Sequence, residues 1–314
     1  MSASSPSAAD LQDRLEPFHL TLLKFTLHAQ GAITLPVFAG STFRGAFGAM
    51  FRRLACVSTC EGAASCLLAR TCAYARIFEA IPDIKDYQPA NEGGLPRPFI
   101  IHPPPTASPA AAAGQPVSFH LVLVGQGADY LPYYILAWRE LGRIGIGREG
   151  GRFRLGQVES RRSLEREEDP EATERELIYS STDQLVRDHR ESITAGRLIA
   201  DSARWQALNQ AGEGSRLNVE LLTPARLKTR GDFLRLAPPF EVFLGALLRR
   251  LESLSFFYCG RSLELDYQGL IARARAVRIA SNELQWVEWE RHSRRQNRRI
   301  PWGGLLGRVS YEGN

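Results

Sequence analysis

The chain has 314 residues, 44% of them hydrophobic and 23% charged, with a formal net charge of +5. That balance excludes a disordered or fibrous chain, and the length predicts two domains of ordinary size. No apolar run is long enough to cross a bilayer, and residues 1–17 (MSASSPSAADLQDRLEP) lack an apolar signal-peptide core, so they are expected to be a disordered lead-in to a cytoplasmic protein.

Lysine occurs only at positions 24, 85 and 228, so arginine supplies nearly all of the 39 basic residues. A GC-rich genome produces this bias with no function attached. Arginine also offers a planar fork for phosphate and a flat face that stacks on bases, so clustered arginine hints at nucleic acid. It is no proton acceptor, which leaves acid–base chemistry to few groups.

Taken in order, HLTLLKFTLHAQ (19–30) alternates, with Leu22, Lys24, Thr26 and His28 on one face and Leu23, Phe25, Leu27 and Ala29 on the other. The spacing predicts a strand. In STFRGAFGAMFRRLAC, Phe43, Phe47, Met50 and Leu54 recur at helical spacing, with Ser41 or Thr42 as the expected cap. PRPFIIHPPP and VSFHLVLVG read as two further strands joined by a Pro- and Ala-rich connection. LPYYILAWRELGRIG reads as a helix and GRFRLGQVES as a strand. The order β-α-β-β-α-β is that of the ferredoxin-like unit.

Residues 161–216 are charged and mainly helical in pattern, which predicts a linker or peripheral helices. The scheme then restarts. NVELLTPARLKT is an expected strand, PPFEVFLGALLRRLESLSFFY an amphipathic helix opened by Pro238 and Pro239, and AVRIASNELQWVEWER and LLGRVSYEG two more strands. The expected architecture is therefore α+β: two tandem ferredoxin-like (RRM-like) domains, 18–160 and 217–314. The first carries a cysteine-rich insertion, and the second shows only β-α-β-β.

Gly145-Ile-Gly147-Arg-Glu-Gly150 matches GxGxxG, but a helix precedes it and a strand follows, the reverse of a dinucleotide site. A tight turn, or a backbone that approaches phosphates closely, are the two remaining readings. Cys56, Cys60, Cys66 and Cys72 fall within seventeen residues, spaced C-x3-C-x5-C-x5-C. In a cytoplasmic protein this favours metal over disulfides: a structural zinc, or alternatively an iron–sulfur cluster. The plain alternative is scattered buried thiols. Cys259 reads as core.

Near the end, WVEWERHSRRQNRRIPWGG (286–304) holds five arginines, three tryptophans and one histidine. His292, flanked by Arg291, Arg294 and Arg295, is the candidate base, since neighbouring cations favour a neutral imidazole. The alternative is a solvated basic turn.

Taken together, the sequence resembles the CRISPR-associated precursor-crRNA-processing endoribonucleases of the RAMP superfamily. The resemblance covers most of residues 19–313. It rests on FAGSTFRGAFGAMFRRLAC, CAYARIFE, PRPFIIHPPP, LPYYILAWRELGRIGIGREGGRF, LLTPARLKTRG, RRLESLSFFY and WVEWERHSRRQNRRIPWGGLLGRVSYEG, in that order. It implies two tandem ferredoxin-like domains and a basic cleft that binds CRISPR repeat RNA. It also implies one cut without metal, leaving a 2′,3′-cyclic phosphate and a 5′-hydroxyl, as part of antiviral defence.

The expected roles are His292 as base, Arg291 and Arg295 on the scissile phosphate, and Arg44 as a further phosphate contact. Ser293, Arg294, Gln296, Arg298, Arg299, Gly303 and Gly304 complete the RNA-binding set. The sequence departs from the family at His292, where members usually carry Tyr, and in stopping before the family's last helix, glycine-rich loop and strand. The expected partners are precursor crRNA and other CRISPR effector subunits, with no membrane. Catalysis needs no cofactor in this reading. The rivals are a non-catalytic RNA-binding subunit of an effector complex and a redox cluster on the four cysteines.

Overall fold

The computed structural model describes residues 13–56, 62–80, 94–104, 110–161, 175–188, 192–199, 215–229, 231–293 and 298–313. The chain divides into two compact units, Met1–Ala200 with Ser253–Leu263, and Asp201–Glu252 with Glu264–Asn314. Both are α+β.

In the first unit, β1 (His19–Ala29) is followed by a short β2 (Ile33–Thr34) and by α1 (Gly40–Ala55). Then come β3 (Phe99–His102), β4 (Ala110–Ala111), β5 (Pro116–Val124), α2 (Leu131–Ile144) and β6 (Phe153–Arg161). The main sheet runs β3-β5-β1-β6-β7 with every pair antiparallel, where β7 is Arg175–Ser180; β8 (Ile193–Thr194) pairs with the start of β1. The period-2 pattern of β1 sorts as the residues dictate: Leu23, Phe25 and Leu27 are buried against α1 and α2.

Helix α1 shows which effect holds it. Its N-cap is Ala39, with no side-chain cap, so neither Ser41 nor Thr42 plays the expected part. A missing cap costs about 1 kcal/mol. Phe43, Phe47 and Phe51 are each 0% exposed, and burying a side chain of that size contributes about 1.5–3 kcal/mol. Packing therefore outweighs capping, and the helix starts at Gly40, where the face turns inward. Phe47 stacks on Tyr134 of α2 at 5.1 Å and 5°, and Trp138 of α2 packs on Phe119 of β5 at 4.4 Å.

Three expectations need correction. Residues 175–180, placed in a helical linker by their charge, form β7 and extend the sheet beyond β6. There Ile178 and Tyr179 are buried, and this burial outweighs the helical charge pattern around them. Residues 193–194 likewise form a strand. Within the expected disordered lead-in, residues 13–15 make a helical turn and Leu15 packs beside Phe18, Val124 and Tyr258. Residues 1–12 lie outside the described residues.

Gly145 (φ +98°) and Gly147 (φ +86°) settle the glycine motif. A Cβ on Gly145 would lie 2.1 Å from the Gly150 carbonyl oxygen, and one on Gly147 would lie 2.3 Å from that of Thr34. These glycines serve a tight turn packed on β2, closed by the Ile146–Gly151 bridge.

In the second unit β9 (Ser215–Ala225) leads through a small hairpin, β10 (Lys228–Thr229) and β11 (Asp232–Phe233), to α3 (Phe240–Tyr258), whose residues from Ser253 onward count with the first unit. After α4 (Tyr267–Ala274), which the sequence reading did not foresee, come β12 (Arg278–Asn282), β13 (Gln285–Ser293) and β14 (Arg298–Gly313). Asp266 caps α4 by accepting from the Gly269 N–H at 2.9 Å. The long β14 is central: β12 and β13 pair along one edge, and β9 pairs with its second half along the other. Leu305, Val309 and Tyr311 of β14 are buried. Tyr311 packs on Phe240 and Phe243, and its hydroxyl donates to the Pro238 carbonyl at 2.9 Å. This fixes the proline-opened start of α3 to the sheet.

Candidate nucleic-acid interface

The arginine-rich segment is a β-hairpin. Backbone pairing places Arg291 opposite Ile300, His292 opposite Arg299, Ser293 opposite Arg298 and Glu288 opposite Gly303. The β13–β14 ladder thus brings four of the predicted residues, His292, Ser293, Arg298 and Arg299, together as two adjacent cross-strand pairs. Arg294, Arg295 and Gln296 lie outside the described residues, as do the side chains of Arg291, His292, Ser293, Arg298 and Arg299.

Toward the base of the hairpin the geometry is side-chain specific. A Cβ on Gly303 would lie 2.6 Å from the Trp286 ring, and one on Gly304 would lie 3.0 Å from the Ala225 carbonyl oxygen. The glycine pair, expected to bind RNA, stands against the protein's own Trp286 and the end of β9. Trp286 donates to Glu288 at 3.1 Å, and Arg235 sits over its ring at 5.0 Å while pairing with Glu288 at 3.7 Å. Beside it, the Arg226 guanidinium lies 3.9 Å from the Phe233 ring centre and 4.2 Å from that of Trp302. Sequence reasoning missed this cluster. Arg226 and Trp302 are far apart in the chain, and only the β9–β14 register, ending at Ala225 opposite Leu305, makes them neighbours.

The first unit carries a second set of cations. On the sheet face opposite α1 and α2, Lys24 pairs with His120 on one side and Glu159 on the other, and His120 pairs with His102. The register adds Arg154, Arg161 and Arg175 to that face. Arg175 reaches Glu159 at 3.8 Å. Burial pushes the His102 imidazole below its ordinary pKa. Cations outnumber carboxylates here, so the face attracts anions.

Arg44 is exposed on α1, with its guanidinium 5.7 Å from the Phe78 ring centre and 5.8 Å from that of Phe99. It is thus oriented by aromatic rings at the helix surface. Among the cysteines, Cys56 ends α1, Cys66 follows a one-turn helix and Cys72 opens the next turn, its sulfur 4.0 Å from the Ala55 carbonyl oxygen. Cys60 lies outside the described residues. Among the described residues no three His, Cys, Asp or Glu side chains converge as metal ligands. Cys259 is half-buried against the small cluster around Tyr258, where burial pushes its thiol pKa up. No helix among the described residues is long and apolar enough to cross a membrane.

Comparison with known proteins also matches the chain in two parts. A family model described as an N-terminal domain matches residues 18–191, more than half of the chain, and the model of the CRISPR-associated endoribonuclease Cas6 matches residues 219–314. Among solved structures, a Cas6 product complex is 14% identical with a TM-score of 0.45, covering 94% of this chain and 85% of that one. Cas6 of Thermus thermophilus is 14% identical with a TM-score of 0.43, covering 94% and 83%. A RAMP protein binding different RNA substrates is 9% identical with a TM-score of 0.40, covering 94% and 88%. No curated protein matches.

Proposed function

We propose that the chain, whose residues 219–314 match the model of the CRISPR-associated endoribonuclease Cas6, is an endoribonuclease of that family that binds CRISPR repeat RNA and cuts precursor crRNA without metal. In this reading the two units are tandem ferredoxin-like domains. The observation that carries the proposal is the β13–β14 hairpin: it lies inside the segment matched by the endoribonuclease model and pairs His292 with Arg299 and Ser293 with Arg298.

RNA supplies its own nucleophile. The 2′-oxygen attacks the adjacent phosphorus, the P–O2′ bond forms as the P–O5′ bond breaks, and the products are a 2′,3′-cyclic phosphate and a 5′-hydroxyl. The protein has to hold the 2′-oxygen in line, neutralise the pentavalent phosphorus and move two protons. His292 takes the 2′-hydroxyl proton, a water molecule gives a proton to the departing 5′-oxygen, and the imidazolium proton neutralises the hydroxide that remains. Arg291 and Arg295 face the scissile phosphate. Arg294, Arg298, Arg299, Ser293 and Gln296 hold neighbouring backbone, with Arg44 as a further phosphate contact. The cationic sheet face of the first unit, with Lys24, Arg154, Arg161 and Arg175, suits the phosphates of a longer RNA.

Replacing His292 by Ala tests the assignment. The expected result is a loss of cutting by about 10²–10⁴-fold with repeat affinity retained. A variant that still cuts removes His292 from the mechanism, and a wild-type chain that binds the repeat without cutting points to a non-catalytic RNA-binding subunit. The four cysteines carry a separate proposal: Cys56, Cys60, Cys66 and Cys72 hold a structural zinc, with an iron–sulfur cluster as the alternative. It is supported by the Cys72 sulfur lying 4.0 Å from the carbonyl oxygen of Ala55, the residue before Cys56. The three described thiols do not converge as they stand, so no step of the reaction is routed through a metal.

A further inference from the structure

We propose that Phe233, with Arg226, Lys228 and Trp302, forms a stacking site for an unpaired nucleobase of RNA; the inference rests on the RNA-binding reading above. The β10–β11 hairpin is minimal, two residues in each strand, and turns at Gly231 (φ +92°), where a Cβ would meet nothing within 4 Å. An element this small buries little, yet it carries large apolar side chains outward: Phe233 is 39% exposed and, just beyond, Leu236 is 77% exposed. A ring in that position loses free energy to water unless something covers it.

The surroundings say what kind of cover fits. Arg226 lies over both the Phe233 and the Trp302 rings, at 3.9 and 4.2 Å from their centres, so cation and aromatic groups are already clustered here. Lys228, paired with Phe233 across the hairpin, holds its ammonium 5.1 Å from the same ring and is itself exposed. A flat, electron-rich base laid on the exposed part of Phe233 extends this cluster, while the adjoining phosphate meets Lys228. An exposed aromatic flanked by cations is the combination that binds single strands irrespective of sequence. An A-form duplex, with its bases stacked internally, cannot use it.

The test uses the full chain and two fluorescent probes, an unstructured oligo(A) and an RNA duplex of the same length. Phe233→Ala is expected to weaken oligo(A) binding by about tenfold and to leave duplex binding unchanged. Phe233→Tyr, which keeps the ring, retains wild-type affinity for both, and Arg226→Lys, which keeps the charge but not the plane, weakens oligo(A) selectively. Equal weakening of both probes by Phe233→Ala overturns the inference, because the ring would then only place the hairpin. Unchanged oligo(A) binding by Phe233→Ala, alongside its loss in an Arg298→Ala/Arg299→Ala variant, refutes the stacking site and leaves the RNA-binding reading standing. A wild-type chain that binds neither probe removes both.

Discussion

Replacement of Gly303 by alanine separates two roles that glycine can have at a nucleic-acid interface. An added Cβ would sit 2.6 Å from the Trp286 six-membered ring and 2.7 Å from its indole nitrogen, about 1 Å inside ordinary carbon–carbon contact. The Gly303 backbone is held by pairing with Glu288, so the indole is what must move. In moving it gives up the hydrogen bond to Glu288 at 3.1 Å and the Arg235 contact at 5.0 Å. Overpacking of this kind costs about 1–3 kcal/mol, less whatever a half-exposed ring recovers by repacking. Urea denaturation followed by far-UV circular dichroism and by tryptophan fluorescence reads the loss. Gly31→Ala is the control, because a Cβ there meets nothing within 4 Å. A Gly303→Ala protein as stable as wild type, with its indole emission unshifted but its RNA affinity gone, would refute the packing argument and return this glycine to the RNA.

Further outcomes follow from the same geometry. Phe47→Ala removes a fully buried ring at the junction of α1, α2 and β3 and is expected to cost about 3–5 kcal/mol, measured by denaturant titration; a loss under about 1 kcal/mol would show that the site collapses freely. The Tyr258 hydroxyl, which donates to the Pro96 carbonyl at 3.0 Å, is pushed by burial up to about 12. The folded state therefore keeps a proton that the unfolded chain releases, and stability present below the ordinary tyrosine range is lost as pH rises toward 12. Tyr258→Phe should flatten that alkaline limb in a pH series of melting curves, and an unchanged slope would assign it elsewhere. Elemental analysis of protein purified anaerobically is expected to find stoichiometric zinc that is lost in Cys60→Ser and Cys72→Ser; iron with visible absorbance would favour the cluster, and neither metal would leave four ordinary thiols.

Much of the first unit was legible because its signals are local. Leu23, Phe25 and Leu27 alternate, Phe43, Phe47 and Met50 recur with the helical period, and each burial followed. The reversed order of helix and strand around Gly145 likewise predicted that its GxGxxG was no dinucleotide site, and the turn packed on β2 agrees. Strand β7 was not legible, since RELIYS is too short to announce itself among charged neighbours and gains its identity only by pairing with β6. The start of α1 was misread for a related reason: Ser41 and Thr42 are good caps in isolation, but three buried phenylalanines set the helix boundary.

The candidate site divides in the same way. That the arginines and His292 share one basic segment is visible in the sequence; that His292 pairs with Arg299 depends on hairpin register. The contact of Arg226 with the Phe233 and Trp302 rings joins three separate parts of the chain, and no one-dimensional pattern marks it. The glycines at 303 and 304 show the same limit. Their lack of side chains is visible in the sequence, but the close contacts with Trp286 and β9 that it allows are not.

The central claim is metal-independent cutting, and the direct measurement is incubation of the purified chain with end-labelled CRISPR repeat RNA in excess chelator, followed by a denaturing gel and analysis of the new ends. The account predicts one cut, a 2′,3′-cyclic phosphate on one product and a 5′-hydroxyl on the other. Intact repeat RNA, or cleavage that stops with chelator and resumes with added metal, would contradict it.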